Sequence, residues 1–170
     1  GQVRCTRSIV CPLDRKPAHS GCYLTHRHSA FFQPTSKLID QVREEDVPRH
    51  VPYGIALLAS IIMEKGHKVQ IYDENAWRSS SNVRKQVFQA DNWDVIALGG
   101  ITTAYGSIKE IVAMARDICP NATIVLGGGV LTSLPPEMMF WLHQVDVGVI
   151  GEAFVTFSEI LDIISYIVIE

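Results

Sequence analysis

From Val51 onward, short β-branched runs alternate with amphipathic helical stretches, and no other feature constrains the fold as strongly. Helical crossovers of this kind join parallel strands, so the product is a parallel sheet covered by helices on both faces. The expected strands are Lys68 to Tyr72, Asp94 to Leu98, Thr123 to Leu126 and Val145 to Ile150, preceded by one at Ser8 to Cys11. Each is short enough to be a core strand. The helices are marked by period: Ile55, Leu58, Ala59 and Ile62 fall on one stripe, as do Ile108, Ile111, Val112 and Ala115. Phe157, Ile160, Leu161 and Ile164 give the last helix its buried face, and Met138, Met139, Phe140 and Leu142 that of the helix before it. Ser107 with Glu110 and Thr156 with Glu159 have capping-box spacing. Gly66 is placed to cap the first helix in a left-handed turn. The expectation is an α/β, Rossmann-like (flavodoxin-like) doubly wound five-stranded parallel sheet of order 2-1-3-4-5, as a single domain over 1–170.

Such sheets bind ligands above the carboxyl ends of their strands. Here that edge carries "GGITTAYGS" at 99–107, "GGGVLTSLP" at 127–135 and "GEAFVT" at 151–156. Glycine at a strand end permits a positive φ or a close approach to the backbone. Two neighbouring strands that both end in Gly-Gly would clear a slot for a long or flat ligand group. The segment 12–50 differs from the rest: it is polar, holds His19, His26, His28 and His50, and reads as a long loop after strand one.

Familiar nucleotide sites fail on residue grounds. No G-x-G-x-x-G follows the first expected strand, where "CPLDRKPAHSG" stands, and no Ser/Thr-rich flavin phosphate loop occurs there. The glycines at 127–129 are followed by Val130 and Leu131 instead of the Lys and Ser/Thr of a P-loop. A receiver domain would need a lysine after the fifth strand, where Gly151 and Glu152 lie. The formal charge of -3, with scattered basic residues, gives no footprint for nucleic acid. The apolar stretch 160–169 is too short for a membrane span, and Asp162 interrupts it. Cys5, Cys11, Cys22 and Cys119 form neither CxxC pairs nor a dense disulfide pattern, which points to a reduced, cytoplasmic protein.

Four stretches, in order and spacing, resemble the cobalamin (B12)-binding domain of B12-dependent radical S-adenosylmethionine (radical SAM) enzymes. They are "VPYGIALLASIIMEKGHKVQIYDENA", "DVIALGGITTAYGSIKEIVAMAR", "ATIVLGGGVLTSLPPEMM" and "VDVGVIGEAFVTFSEILDII". The most specific elements are P-x-G-x-x-x-L-A at 52–59, the strand ending at Asp73, GG-x-x-x-T/S at 128–133, and Gly151-Glu152. The resemblance implies a corrin ring over the carboxyl edge, with its nucleotide tail descending between the loops after the third and fourth strands. The residues it implies for the cofactor are Gly99, Gly100, Thr102, Thr103, Tyr105, Gly127, Gly128, Gly129, Thr132, Ser133, Gly151 and Glu152. Ser133, just ahead of Pro135 and Pro136, reads equally well as a helix N-cap.

Two departures shape what the resemblance carries over. The D-x-H-x-x-G motif that places a histidine on cobalt is absent after the first expected strand, since Asp14 is followed by Lys16. Base-off binding without a standard histidine ligand is therefore expected, and His19, His26 and His28 remain the metal candidates, each also readable as a surface histidine. The cysteine intervals cannot supply the C-x-x-x-C-x-x-C that holds a 4Fe-4S cluster. S-adenosylmethionine and the cluster would then belong to a radical SAM catalytic domain of the parent enzyme, outside this chain, which is not itself expected to be catalytic. The competing reading is a flavodoxin-like domain for a nucleotide, a flavin or an interaction partner.

Overall fold

The computed structural model describes residues 9–10, 28–33, 52–74 and 80–167. Its strands are β1 (Ile9–Val10), β2 (His28–Gln33), β3 (Lys68–Asp73), β4 (Val95–Gly99), β5 (Thr123–Gly127) and β6 (Val147–Val149). They form one sheet of order β1-β6-β5-β4-β2-β3. Strands β2 to β6 pair in parallel, and counted in chain order they run 2-1-3-4-5. The expected doubly wound architecture is present.

The first strand is not where the sequence placed it. Ile9–Val10 is a two-residue edge element, antiparallel to Val149 and Gly148 of β6. The first parallel strand is β2, "HSAFFQ", which lies inside the segment 12–50 read as one long loop and pairs with β3 and β4 on either side. A strand in the middle of the sheet must be buried on both faces, and Ser29 and Ala30 both are. His28 is a strand residue; His19, His26, Cys5, Cys11 and Cys22 lie outside the described residues.

Helices α1 (Tyr53–Glu64), α2 (Ser81–Gln89), α3 (Tyr105–Ile118), α4 (Gly129–Ser133), α5 (Pro135–Trp141) and α6 (Thr156–Ile167) cover the sheet. Side chains alternate across a strand, so the sheet has two separate cores. Ile96, Leu98, Ile124 and Leu126 pack with Ile108, Ile111, Val112 and Ala115 of α3 and with Met138 and Met139 of α5. On the opposite face Val95, Ala97, Val125 and Val149 meet Leu58 and Ile62 of α1 and Phe157, Ile160 and Leu161 of α6. The expected stripes are buried, or half-buried at Ile55 and Ile164, except that Phe140 of α5 is 79% exposed.

Local signals held unevenly. Gly66 has φ 89 and donates its N–H to the Met63 carbonyl at 2.9 Å, ending α1 as expected. Ser107 is the third residue of α3 and is buried, and Ala104 occupies the N-cap, so no capping box forms there. Helix α6 opens at Thr156, and the Glu159 N–H bonds to the Val155 carbonyl at 3.2 Å.

The amino end of the sheet is tied by side chains. Arg116 of α3 donates to the carbonyls of Pro120, Ala122 and Gln144 at 3.0, 3.1 and 2.9 Å and pairs with Asp146, whose carboxylate also accepts the Ile124 N–H at 2.8 Å. Beyond β3, the fully buried Glu74 is held by Arg84 of α2 through both guanidinium Nε and Nη2. Among the described residues, no helix is long and apolar enough to cross a membrane.

Candidate functional site

Down the face shared with α1 and α6, side chains shrink toward the carboxyl edge. Along β4 the sequence on that face is Val95, Ala97, Gly99; along β5 it is Val125, Gly127. The register sets Ala97 beside Val125 and Gly99 beside Gly127, so the small residues form continuous rows instead of isolated gaps. The intervening residues, Leu98 and Leu126, face the other core and stay large. A taper on one face alone leaves room on that face alone.

That room is a cavity of about 400 Å³. Ala97, Gly99, Val125, Gly127 and Val149 form its sheet wall. Helix α1 and the residue before it supply Pro52, Tyr53, Gly54, Ile55 and Leu58, the loop into α6 supplies Glu152, Ala153 and Phe154, and α6 itself supplies Phe157. Gly100, Gly128 and Gly151 also line it, from the loops that follow β4, β5 and β6. A Cβ built on Gly99 would come no closer than 3.7 Å to Ile55 Cδ1, and one on Gly127 no closer than 3.7 Å to the Val149 carbonyl oxygen. Both are ordinary contacts, so the fold tolerates side chains at these positions; their absence enlarges the cavity.

Gly128 has a different reason. Its φ of 79 with ψ of -173 belongs to a region only glycine occupies readily. An added Cβ would also stand 2.9 Å from the Gly100 carbonyl oxygen and 3.0 Å from its nitrogen. The Val130 N–H bonds to that same Gly100 carbonyl at 2.9 Å. The loops after β4 and β5 therefore meet backbone to backbone at Gly100 and Gly128, and the open space beside them lies against the face of the strands. Replacing Gly128 with alanine is expected to cost about 1–3 kcal/mol of folding stability, measured by urea denaturation.

The twelve residues implied for the cofactor divide into two groups. Gly99, Gly100, Gly127, Gly128, Gly151 and Glu152 line the cavity. The other six do not. Thr102 and Thr103 form an exposed 3-10 turn. Tyr105 sits edge-on to Trp141, with ring centroids 6.2 Å apart, and packs against the opposite core. Gly129 opens α4. The Thr132 hydroxyl oxygen accepts the Gly151 N–H at 3.2 Å, and the Ser133 hydroxyl donates to the Gly129 carbonyl at 2.6 Å. Leu134, not Ser133, is the N-cap of α5. The lining residues that sequence reasoning missed are the apolar ones on α1, α6 and the strands. The P-x-G-x-x-x-L-A element already pointed to α1, since its Pro52, Gly54 and Leu58 all face the cavity.

Among the described lining residues, Tyr53 and Glu152 carry the only ionisable side chains. No nucleophile or acid–base pair lines the cavity among the described residues. Among the described residues no cluster of three His, Cys, Asp or Glu side chains is arranged to hold a metal ion. The arrangement suits a large, mostly apolar ligand held by shape.

With β2 as the first parallel strand, the fingerprints have to be sought after Gln33. The stretch 34–51 contains no glycine, and neither Asp40, followed by Val42, nor Asp46, followed by Pro48, gives D-x-H. Thr35 and Ser36 are the only hydroxyl residues there, too few for a Ser/Thr-rich flavin loop.

A B12 binding domain matches residues 38–161. The chain belongs to the B12-binding domain family. It is 29% identical over 132 residues to an uncharacterized methyltransferase, PH0819, of Pyrococcus horikoshii, a match that covers 78% of this chain and 28% of the relative. The fold is similar to that of the radical S-adenosylmethionine methyltransferase TsrM from Kitasatospora setae, solved with tryptophan substrate and a SAM analog. That similarity has a TM-score of 0.67 at 18% identity and covers 82% of this chain and 26% of the other. The chain thus spans little more than a quarter of either protein's length.

Proposed function

We propose that this domain holds cobalamin base-off, with the corrin over the carboxyl edge of the sheet and the nucleotide tail in the cavity beside α1 and α6, for a radical SAM methyltransferase-type catalytic unit. The observation that carries the proposal is the one-sided taper Val95, Ala97, Gly99 and Val125, Gly127, which makes a deep recess with no side-chain reason of its own. Family membership supports the choice of ligand, and the two similar proteins support the kind of parent enzyme.

When bound, the corrinoid supplies a cobalt centre able to carry a methyl group or electrons. The chain's own residues do the rest. Leu58, Val125, Val149 and Phe157 exclude water from the recess, and Gly99 and Gly127 leave the width that the tail requires. Gly151 and Glu152 stand at the rim, and the Thr132 hydroxyl steadies the Gly151 backbone. With the tail held by these residues, the base-off form would be the one retained.

Incubation with hydroxocobalamin, desalting and an absorption spectrum test the proposal. A retained corrin spectrum of base-off type is the expected result. A retained base-on spectrum overturns the seating of the tail, and loss of the corrin on desalting overturns the function.

A further inference from the structure

The recess has a chemical preference as well as a shape. Resting on the corrinoid reading above, we propose that it selects among corrinoids by their lower base, accepting benzimidazoles and rejecting purines. The depth of the cavity is walled by Leu58, Ala97, Val125, Val149 and Phe157, none of which has a side-chain donor or acceptor. The backbone there offers little more. Ala97 and Val125 are paired with each other in the parallel ladder, and Val125 also with Val147 on its other side, so their N–H and C=O groups lie in the plane of the sheet. Among the described lining residues, side-chain polar groups come only from Tyr53 and Glu152, beside the loop backbones at Gly100, Gly128 and Gly151.

Dimethylbenzimidazole and adenine are flat bicycles of similar size, so fit does not separate them. Hydrogen bonding does. A benzimidazole enters with methyl groups and a single free ring nitrogen, and loses little by leaving water. Adenine brings an exocyclic amine and several ring nitrogens that would be stripped of water and left without partners. Apolar pockets reject polar near-isosteres only moderately, which sets the expected discrimination at about tenfold to a hundredfold.

Equilibrium binding of three corrinoids to the chain provides the test: cobalamin, its adenine-based counterpart, and cobinamide, which lacks the nucleotide altogether. Cobalamin is expected to bind at least about tenfold tighter than the adenine form, with cobinamide weaker than cobalamin. Equal affinity for cobalamin and the adenine form overturns the selectivity while leaving corrinoid binding intact. Equal affinity for all three overturns it by showing that the recess does not take the tail. Failure of all three to bind overturns the functional reading beneath it. Ala97→Ser adds one hydroxyl to the wall and is expected to narrow the ratio by about threefold or more through tighter binding of the adenine form. An unchanged ratio in that variant, folded by circular dichroism, removes the wall as the source of the preference.

Discussion

Replacing Gly99 or Gly127 with valine is expected to abolish retention of hydroxocobalamin, weakening its affinity by at least about 100-fold, while the protein stays folded. Both residues line the cavity and stand side by side in the register of β4 and β5. The backbone takes a Cβ at either place without a clash. Valine is also a favoured strand residue, so stability should hold or rise by about 0.5–1 kcal/mol. The branched side chain has nowhere to go except into the recess. Affinity from corrin absorbance, read together with the melting temperature, separates the possibilities. Loss of binding at unchanged melting temperature is the expected pattern, and binding equal to the parent chain would place the tail elsewhere. The same experiment at Gly128 would mislead, because that residue is needed by the contact between loops whether or not a ligand is present.

A second large effect is expected at residues that do not line the cavity. Arg84→Ala should destabilise the fold by about 3–5 kcal/mol, the usual result of removing one partner from a buried ion pair. Glu74 has no solvent exposure and is gripped by two guanidinium nitrogens of Arg84, while Arg84 Nη1 lies 3.6 Å from Glu110 of α3. These contacts tie the end of β3 to α2 and α3. Urea denaturation of Arg84→Ala, Glu74→Leu and the double variant Arg84→Leu with Glu74→Leu checks the prediction. The double variant should recover part of the loss, since two apolar groups cost less there than one charge whose guanidinium is gone. A loss below about 1 kcal/mol in Arg84→Ala would mean that the pair behaves as a surface bridge.

The sequence revealed the helices and the later strands because their signals are periodic and local. Ile108, Ile111, Val112 and Ala115 are buried as their spacing required, and "TIVLG" is a strand between two helices. The first parallel strand escaped because "HSAFFQ" begins with polar residues and lies among prolines, whereas "SIVC" has the stronger β-branched composition. The available signal was Ala30-Phe31-Phe32, stopped by Pro34. Pairing partners then decided the outcome, and these are tertiary.

At the site, the glycines marked the edge where the cavity lies but not their separate duties. Gly127 widens a cavity, Gly128 allows two loops to touch, and Gly129 begins a helix. Nothing in a run of three identical residues distinguishes these. The hydroxyls of Thr132 and Ser133, implied for the cofactor, find partners within the fold. The apolar walls on α1 and α6 were read as ordinary core, and at Leu58 and Phe157 they are core and cavity lining at once. The same one-sidedness that hid Phe140's exposure from a simple stripe reading would be visible only with α5 set against the sheet.

The alternation that places Ala97 and Gly99 on one side of β4 and Leu98 on the other uncouples two demands on a single strand. Odd positions can be retailored for a different guest while even positions go on gripping α3. A lineage built this way can change its vitamin without first relearning how to fold.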